Sequence, residues 1–456
     1  MGVGSATSIR ALQWCDQSAQ TPFPVSLYTY KSQLLVALVA AAVLPAHADD
    51  LEAGLKAVEP KVIAWRRDFH QHPELSDQET RTAKVVTEHL TKLGLEVTRG
   101  VAHNGVIAFL RTGKPGPTVA LRADMDALPV TERVDLPFKS TVKSNYRGEE
   151  VGVMHACGHD SHTAVLMGVA EALTGMKGRL RGNVLFVFQP AEEGVPPGQE
   201  GGASLMLKEG IFDRYKPAVM IGWHAWATLH VGEIGYRTGP FMADSNGWRI
   251  VVNGRQTHGS RPWRGIDPIV VSAQIVNALQ TVVSRQVDLT EQPAVFTVGI
   301  IKGGVRNNII PDSVEMIGTL RTFSPAMKKQ MVENIARMVD KTAAASGATA
   351  QFELDPYNNP VVLNDPKLTA RMLPVLRKVP GVSSVKEIPL ITGSEDFAYY
   401  ANKVPSLFYM VGVSPPEQDL KTVPENHSPL FYIDEKAIPI ATRALTAVTV
   451  NYLSGK

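Results

Sequence analysis

Cysteine is nearly absent: Cys15 and Cys157 are the only two in 456 residues. Charge of one sign is also lacking, because 46 Lys and Arg stand against 44 Asp and Glu for a formal charge of +2. Such a balance provides no basic field to neutralise phosphates, which excludes nucleic acid as a partner. Long apolar runs are missing too. The run at 33–44 falls well short of the ~20 residues that a membrane span needs.

That run is preceded by Lys31 and followed by Ala46-His47-Ala48 and then Asp49-Asp50, the layout of a secretory signal cleaved after Ala48. The mature chain is therefore expected to be exported, periplasmic or secreted, with no stable membrane anchor. Residues 1–26 carry one Arg and no apolar period, fit none of the three regions of a signal, and point to a start of synthesis near Val25 or Leu27. Loss of the leader removes Cys15. Cys157 is then the sole thiol, no internal disulfide can form, and the thiol is either buried and inert or occupied by chemistry.

A chain of 456 residues is long enough for two cores. The stretch 51–93 reads as helix, punctuated at Glu59-Pro60 and His72-Pro73. Short apolar runs at 106–110, 118–122, 184–188, 219–222 and 405–411 read as strands, with helices at 164–173 and 435–453. Continuous apolar strands spaced by helices predict an α/β fold with a mostly parallel central sheet covered on both faces. Composition shifts near Gly239-Pro240. There Val271, Ile275, Ala278 and Val282 mark one face of a helix, and a second helix has Ser324 as N-cap, Pro325 at its first position and Gly347 past its end. With strands at 247–252, 295–301 and 313–322, the block reads as an inserted α+β unit of split-βαβ, ferredoxin-like order. The expected division is leader and signal 1–48, main domain 49–239 and 356–456, insertion 240–355.

The densest chemistry is Met154-His155-Ala156-Cys157-Gly158-His159-Asp160-Ser161-His162, with one thiol and three imidazoles in a predicted loop before a helix. Thiolate and imidazole are ligands for zinc-type metals, and Gly158 lets the backbone turn so that both flanking side chains aim at one place. Further ligands should end neighbouring strands of an open α/β sheet. Ala123-Asp124-Met125-Asp126, Gln189-Pro190-Ala191-Glu192-Glu193 and Gly222-Trp223-His224 do so. Adjacent Glu192 and Glu193 suit a division of labour, one on metal and one moving protons, which spacing alone does not assign.

These motifs, together with Arg66 to Glu74, Arg122 to Pro129, Asn308-Ile309-Ile310-Pro311 and Gly393-Ser394-Glu395-Asp396-Phe397, resemble the dinuclear metallo-amidohydrolases related to aminoacylase and glutamate carboxypeptidase. The resemblance is to the branch of hippurate hydrolase and the plant indole-acetyl-amino-acid hydrolases, and it runs collinearly from about Leu51 to the C-terminus. It implies two divalent ions (Zn, Mn, Co or Ni), with Cys157 bridging them and His159, Glu193, His224 and His427 completing the shell. It also implies Glu192 as general base, Asp126 behind the metal shell, with Asp124 as the alternative for that role, His258 as a histidine on a lid formed by the insertion, and Asn308 with Arg321 as holders of the substrate carboxylate. An Arg fork plus an amide is a sound carboxylate clamp. The resemblance further implies a homodimer formed through the lid. The His70-to-Glu74 stretch is read as packing and capping rather than ligation.

The expected activity is hydrolysis of the amide bond of N-acyl amino acids, with a carboxypeptidase or dipeptidase acting on short peptides as the alternative. An exported solute-binding protein is the rival from another class, but it needs no Glu-Glu pair beside a Cys-Gly-His site. The loops at 146–153 and 195–200 look longer than in such relatives and flank the expected site.

Overall fold

The computed structural model describes residues 30–455 apart from 196, 197 and 357, with the backbone alone described for residues 30–50. It comprises a short unit, Met1–Glu52, and a main unit, Ala53–Lys456. The reading of residues 1–26 and Cys15 lies outside the described residues, and the expected signal falls in the helix Tyr30–Gln71 where side chains are not described. Among the described residues no helix is long and apolar enough to cross a membrane.

The break expected at Glu59-Pro60 does not occur, because the helix Tyr30–Gln71 runs through it. Pro60 forfeits a backbone hydrogen bond, but Val58 and Val62 on either side of it are buried in the main core, and that packing outweighs the loss. The break at His72-Pro73 is real. The next helix, Thr80–Lys92, begins after a short loop whose Glu74 carboxylate accepts the amide hydrogens of Arg81 and Thr82, both at 2.8 Å.

An eight-stranded sheet forms the centre, in the order Glu96–Val101, Gly105–Arg111, Asn183–Gln189, Thr118–Asp124, Val219–His230, Ser406–Ser414, Glu233–Tyr236, Ser384–Glu387. The four middle strands are mutually parallel. Side chains alternate between two cores: Val106, Ala108 and Leu110 face the helices His159–Gly175 and Ala437–Leu453, whereas Ile107 and Phe109 pack on the opposite layer with Leu185 and Phe408. Burial of both faces explains why these strands read as unbroken apolar runs.

The inserted segment builds its own layer pair. Asn246–Asn253, Val295–Gly303, Ser313–Arg321 and Thr349–Leu354 form an antiparallel sheet under the helices Pro268–Arg285 and Pro325–Ala345, in β-α-β-β-α-β order. Ser324 caps the second helix by accepting the Met327 amide hydrogen. In the first helix Leu279, not Ala278, completes the buried face with Val271, Ile275 and Val282. The larger side chain fills the space beneath Trp248 and Ile250 that alanine leaves open. The chain leaves and returns side by side, where Gly239–Met242 pairs with Val362–Asn364 and the Ser245 amide donates to the Asn359 carbonyl at 2.9 Å.

Candidate metal centre and active site

Three parallel neighbours deliver the site from their carboxyl ends: Asn183–Gln189, Thr118–Asp124 and Val219–His230. His224 does not end its strand as expected. The strand continues to His230 because Ser406–Ser414 still pairs with it, while its pairing with Thr118–Asp124 stops at Arg122 and Gly222. His224 therefore stands two residues past its neighbour, at the open lip of the sheet. Gly158, at φ +97°, turns the chain between Cys157 and the helix His159–Gly175, and a Cβ there would come 2.9 Å from the Ala225 Cβ.

Cys157 Sγ lies 3.4 Å from His224 Nε2 and 3.3 Å from His427 Nε2, and His427 Nε2 is 3.2 Å from Glu193 Oε1. Among the described residues five groups of side chains lie close enough to hold an ion, among them Cys157 with His159 and His224, Cys157 with Glu193 and His427, His159 with Glu192 and Glu193, and Asp124 with His159 and His162. The first two share the Cys157 sulfur. His159 and His224 present Nε2 because Nδ1 donates to a backbone carbonyl at 2.8 Å, that of Asp126 and that of Ala225 respectively. Nε2 of His159 is buried with no hydrogen-bond partner among the described residues, and the buried Oε1 of Glu193 faces the imidazoles of His427 and, at 4.0 Å, His159. Burial, with Glu193, Glu192, Asp124 and Glu395 around it, pushes the Cys157 thiol well up. An orphaned donor atom and a crowd of carboxylates about one thiol are what a pair of divalent cations would satisfy.

Asp126 stands behind this shell. Its Oδ2 accepts the Glu193 amide hydrogen at 3.0 Å and the Ser76 hydroxyl at 2.6 Å. Asp124 also borders the shell, with Oδ2 3.5 Å from His159 Nε2, and meets His162 Nδ1 and Arg122 Nη1, both at 2.6 Å. Burial favours a neutral Asp124, yet Arg122 and His159 hold it well below the usual carboxylate range. Arg122 is fully buried and also meets Glu395 at 2.7 Å and Asp396 at 2.9 Å. Glu192 approaches the same segment, 3.5 Å from the Asp396 amide, and burial with Glu395, Glu193 and Asp396 pushes it well up.

Some contributors escape a motif reading. Asn426 donates to the carbonyls of Cys157 at 3.1 Å and Ala225 at 2.9 Å, so it ties the loop that carries His427 to the two others. Its place beside His427 was the only signal.

His258 and Asn308 lie side by side, because the Gly259 amide donates to the Asn308 carbonyl at 2.8 Å. Both are exposed, and neither approaches the metal cluster among the described contacts. Arg321 is distant from them. It closes the nine-residue strand Ser313–Arg321, which at ~3.3 Å per residue separates its ends by roughly 26 Å. Among the described contacts none joins Asn308 to Arg321. Arg321 Nη1 is buried with no hydrogen-bond partner among the described residues, and burial lowers the proton affinity of its guanidinium. The two long loops meet the site as expected. Lys143–Tyr146 and Glu149–Gly152 form a hairpin, and Arg147 at its tip and Val195 line a cleft of about 570 Å³ with Glu192, Glu193, Ser245 and Tyr399.

The sequence pattern of peptidase family M20/M25/M40 matches residues 120–451. The chain is 36% identical over 405 residues to thermostable carboxypeptidase 2 of Saccharolobus solfataricus, covering 89% of this chain and 98% of that protein. It is 37% identical over 400 residues to N-acetylcysteine deacetylase of Bacillus subtilis, covering 87% and 98%. A crystal structure of a dinuclear metal-binding M20 peptidase from Bacillus subtilis superposes with a TM-score of 0.73 at 34% identity, covering 88% of this chain and 99% of that one.

Proposed function

Since the chain belongs to peptidase family M20/M25/M40, we propose that it is a metal-dependent amidohydrolase that cleaves N-acyl amino acids, with Glu192 as general base. The observation that carries this reading is the pair of ligand sets sharing Cys157, with Glu192 beside them and within reach of His159 and Glu193. Thiolate, imidazole and carboxylate together suit zinc, manganese, cobalt or nickel. Two bound ions would supply Lewis acidity and lower the pKa of water. Cys157, His159, Glu193, His224 and His427 would hold them, while Asp126 orients His159 and Glu193 from behind.

The chain's own groups then handle protons and charge. Glu192 takes a proton from the attacking water as the new C–O bond forms, and returns it to the nitrogen as the C–N bond breaks, releasing a carboxylate and a free amino acid. The Ser260 amide donates to Nδ1 of His258 at 3.1 Å, which leaves Nε2 as the donor toward a developing oxyanion. Arg321, with its unpartnered Nη1, is the carboxylate anchor within the subunit.

A second reading, a carboxypeptidase acting on short peptides, uses the same machinery and is favoured by the carboxypeptidase relative. The two differ only in what the cleft beside Glu192 accepts on the acyl side. We further assign the inserted unit as a lid that pairs two copies, supported by the separation of His258 and Asn308 from the metal cluster and by the exposed edge strand Val295–Gly303 with Ile300 and Ile301. Export of the mature chain belongs to the same proposal, supported by the apolar run and the Ala46-His47-Ala48 motif.

The test is Glu192→Gln. It should retain both metals by elemental analysis yet lose ~10²-fold or more in kcat on N-benzoylglycine, because the amide accepts no proton. Activity within a few fold of wild type would show that the base is misassigned. A parallel screen of N-acyl amino acids against dipeptides decides between the two substrate classes.

A further inference from the structure

Ala191, directly before the Glu192–Glu193 pair, has φ +53° and is almost fully buried. An L-residue with a Cβ rarely occupies this left-handed region, so something outside the turn must hold it there. The turn decides where both carboxylates go. Glu192 is directed toward the Asp396 amide, and Glu193 toward His427.

The holding group is across the fold, in the loop that precedes the helix Thr80–Lys92. Glu79 is wholly buried, and its Oε1 accepts the Ala191 amide hydrogen at 2.8 Å and that of Asp77 at 2.9 Å. Asn104 Nδ2 donates to the Asp77 carbonyl at 2.9 Å and to Glu79 Oε2 at 3.3 Å, which fixes the carboxyl from its other side. No cationic partner faces Glu79 among the described residues. Burial and the charge of Asp126 push it up to about 8, so an uncompensated carboxyl is kept at a site where a smaller apolar side chain would avoid the desolvation. The same loop grips the turn a second time. Ser76 donates to the Asp126 oxygen that receives the Glu193 amide.

We propose that Glu79 is a positioning residue for the amidohydrolase reaction: by accepting the Ala191 amide hydrogen it locks the left-handed turn that sends Glu192 to the proton-transfer position and Glu193 to the metal position. The proposal rests on the assignment of those two roles. Glu79 touches neither substrate nor metal. It acts through one backbone amide, from a part of the sequence that otherwise packs and caps.

The experiment compares Glu79→Ala, Glu79→Gln, Ala191→Gly and the double variant Glu79→Ala with Ala191→Gly in the full chain. Metal-stripped samples are read by hydrogen exchange of the 189–193 segment, and metal-loaded samples by metal content, kcat and KM on N-benzoylglycine. Glu79→Ala should speed exchange of the Ala191 amide at least tenfold and lower kcat at least tenfold, with KM within a few fold. Glu79→Gln keeps an acceptor oxygen and should stay within a few fold of wild type. Glycine adopts positive φ without help, so the double variant should recover to within a few fold of Ala191→Gly alone. Should Glu79→Ala fail to fold, the double variant decides, and a double variant that is unfolded or fully slow overturns the proposal. Wild-type kcat and exchange in Glu79→Ala, beside an inactive Glu192→Gln, overturn this lock and leave the base assignment standing. An active Glu192→Gln overturns the base assignment itself.

Discussion

If Cys157 and His159 are metal ligands, each must give up a proton as the metal binds. Burial and four carboxylates push the thiol well up, whereas His159 resists burial because Asp124 and Asp126 lift it to about 10. Metal loading should therefore release protons at pH 7, and affinity should fall as pH falls. Calorimetric titration of the stripped protein in two buffers of different ionisation heat measures that release. No net release would mean that neither residue is a ligand. Cys157→Ser replaces the thiolate by a hydroxyl of far higher pKa and should leave fewer than two metals per chain, whereas full occupancy with normal turnover would show Cys157 to be merely buried. The Cys-Gly-His triplet is legible in sequence because ligand chemistry is local to it. The division between Glu192 and Glu193 is not, since it depends on the φ of Ala191 and on a partner in another loop.

At the scale of elements, the helix His159–Gly175 is anchored by its second residue. Asp160 pairs with Arg66 Nε at 2.9 Å and His70 Nδ1 at 2.8 Å, and His70 Nε2 faces Glu132 at 3.1 Å. His70, from the stretch 70–74 read as packing and capping, thus packs behind the metal loop together with Arg66. Burial alone would raise the Asp160 pKa, but Arg66 and His70 drive it well below the usual carboxylate range. Its folded value is depressed, so its contribution to stability is present above the unfolded pKa of about 4 and is lost as pH falls toward the folded value. Asp160→Asn strips the buried Arg66 of its 2.9 Å carboxylate partner and leaves it only the longer contact to Glu435, at 3.6 Å. It should cost about 3–5 kcal/mol, read by urea unfolding of metal-free protein at pH 7, and should flatten the loss of stability on acidification. A cost below about 1 kcal/mol would show that Arg66 finds another partner. Helix termini with capping chemistry, such as Ser324-Pro325, were legible. The continuation of a helix through Pro60 was not, because burial of Val58 and Val62 is a property of their neighbours.

For the whole molecule, the proposed lid holds His258 and Asn308 on a segment that no described contact joins to the metal cluster of the same chain. Pairing of two inserted units along Val295–Gly303 offers a route to the cluster of a second copy, since that edge is unpaired and exposes Ile300 and Ile301. If it is used, mixing inactive His258→Ala with inactive Glu192→Gln subunits should recover up to about a quarter of wild-type activity, because half the chains enter mixed dimers and one of the two sites there has both groups intact. Verified subunit exchange without recovery would place His258 in its own chain's site or in no site.

The sequence by itself determined the metal chemistry, the strand-helix alternation and the inserted unit, because ligand type, hydrophobic period and capping residues act over a few neighbours. Only the tertiary structure decided which groups meet. It set Asn426 across two metal loops, Glu79 against Ala191, and Arg122 among Asp124, Glu395 and Asp396, contacts that join residues as many as 274 positions apart. Such pairings carry no local signature, since each is fixed by the packing of a whole sheet and not by the preferences of the residues that make it.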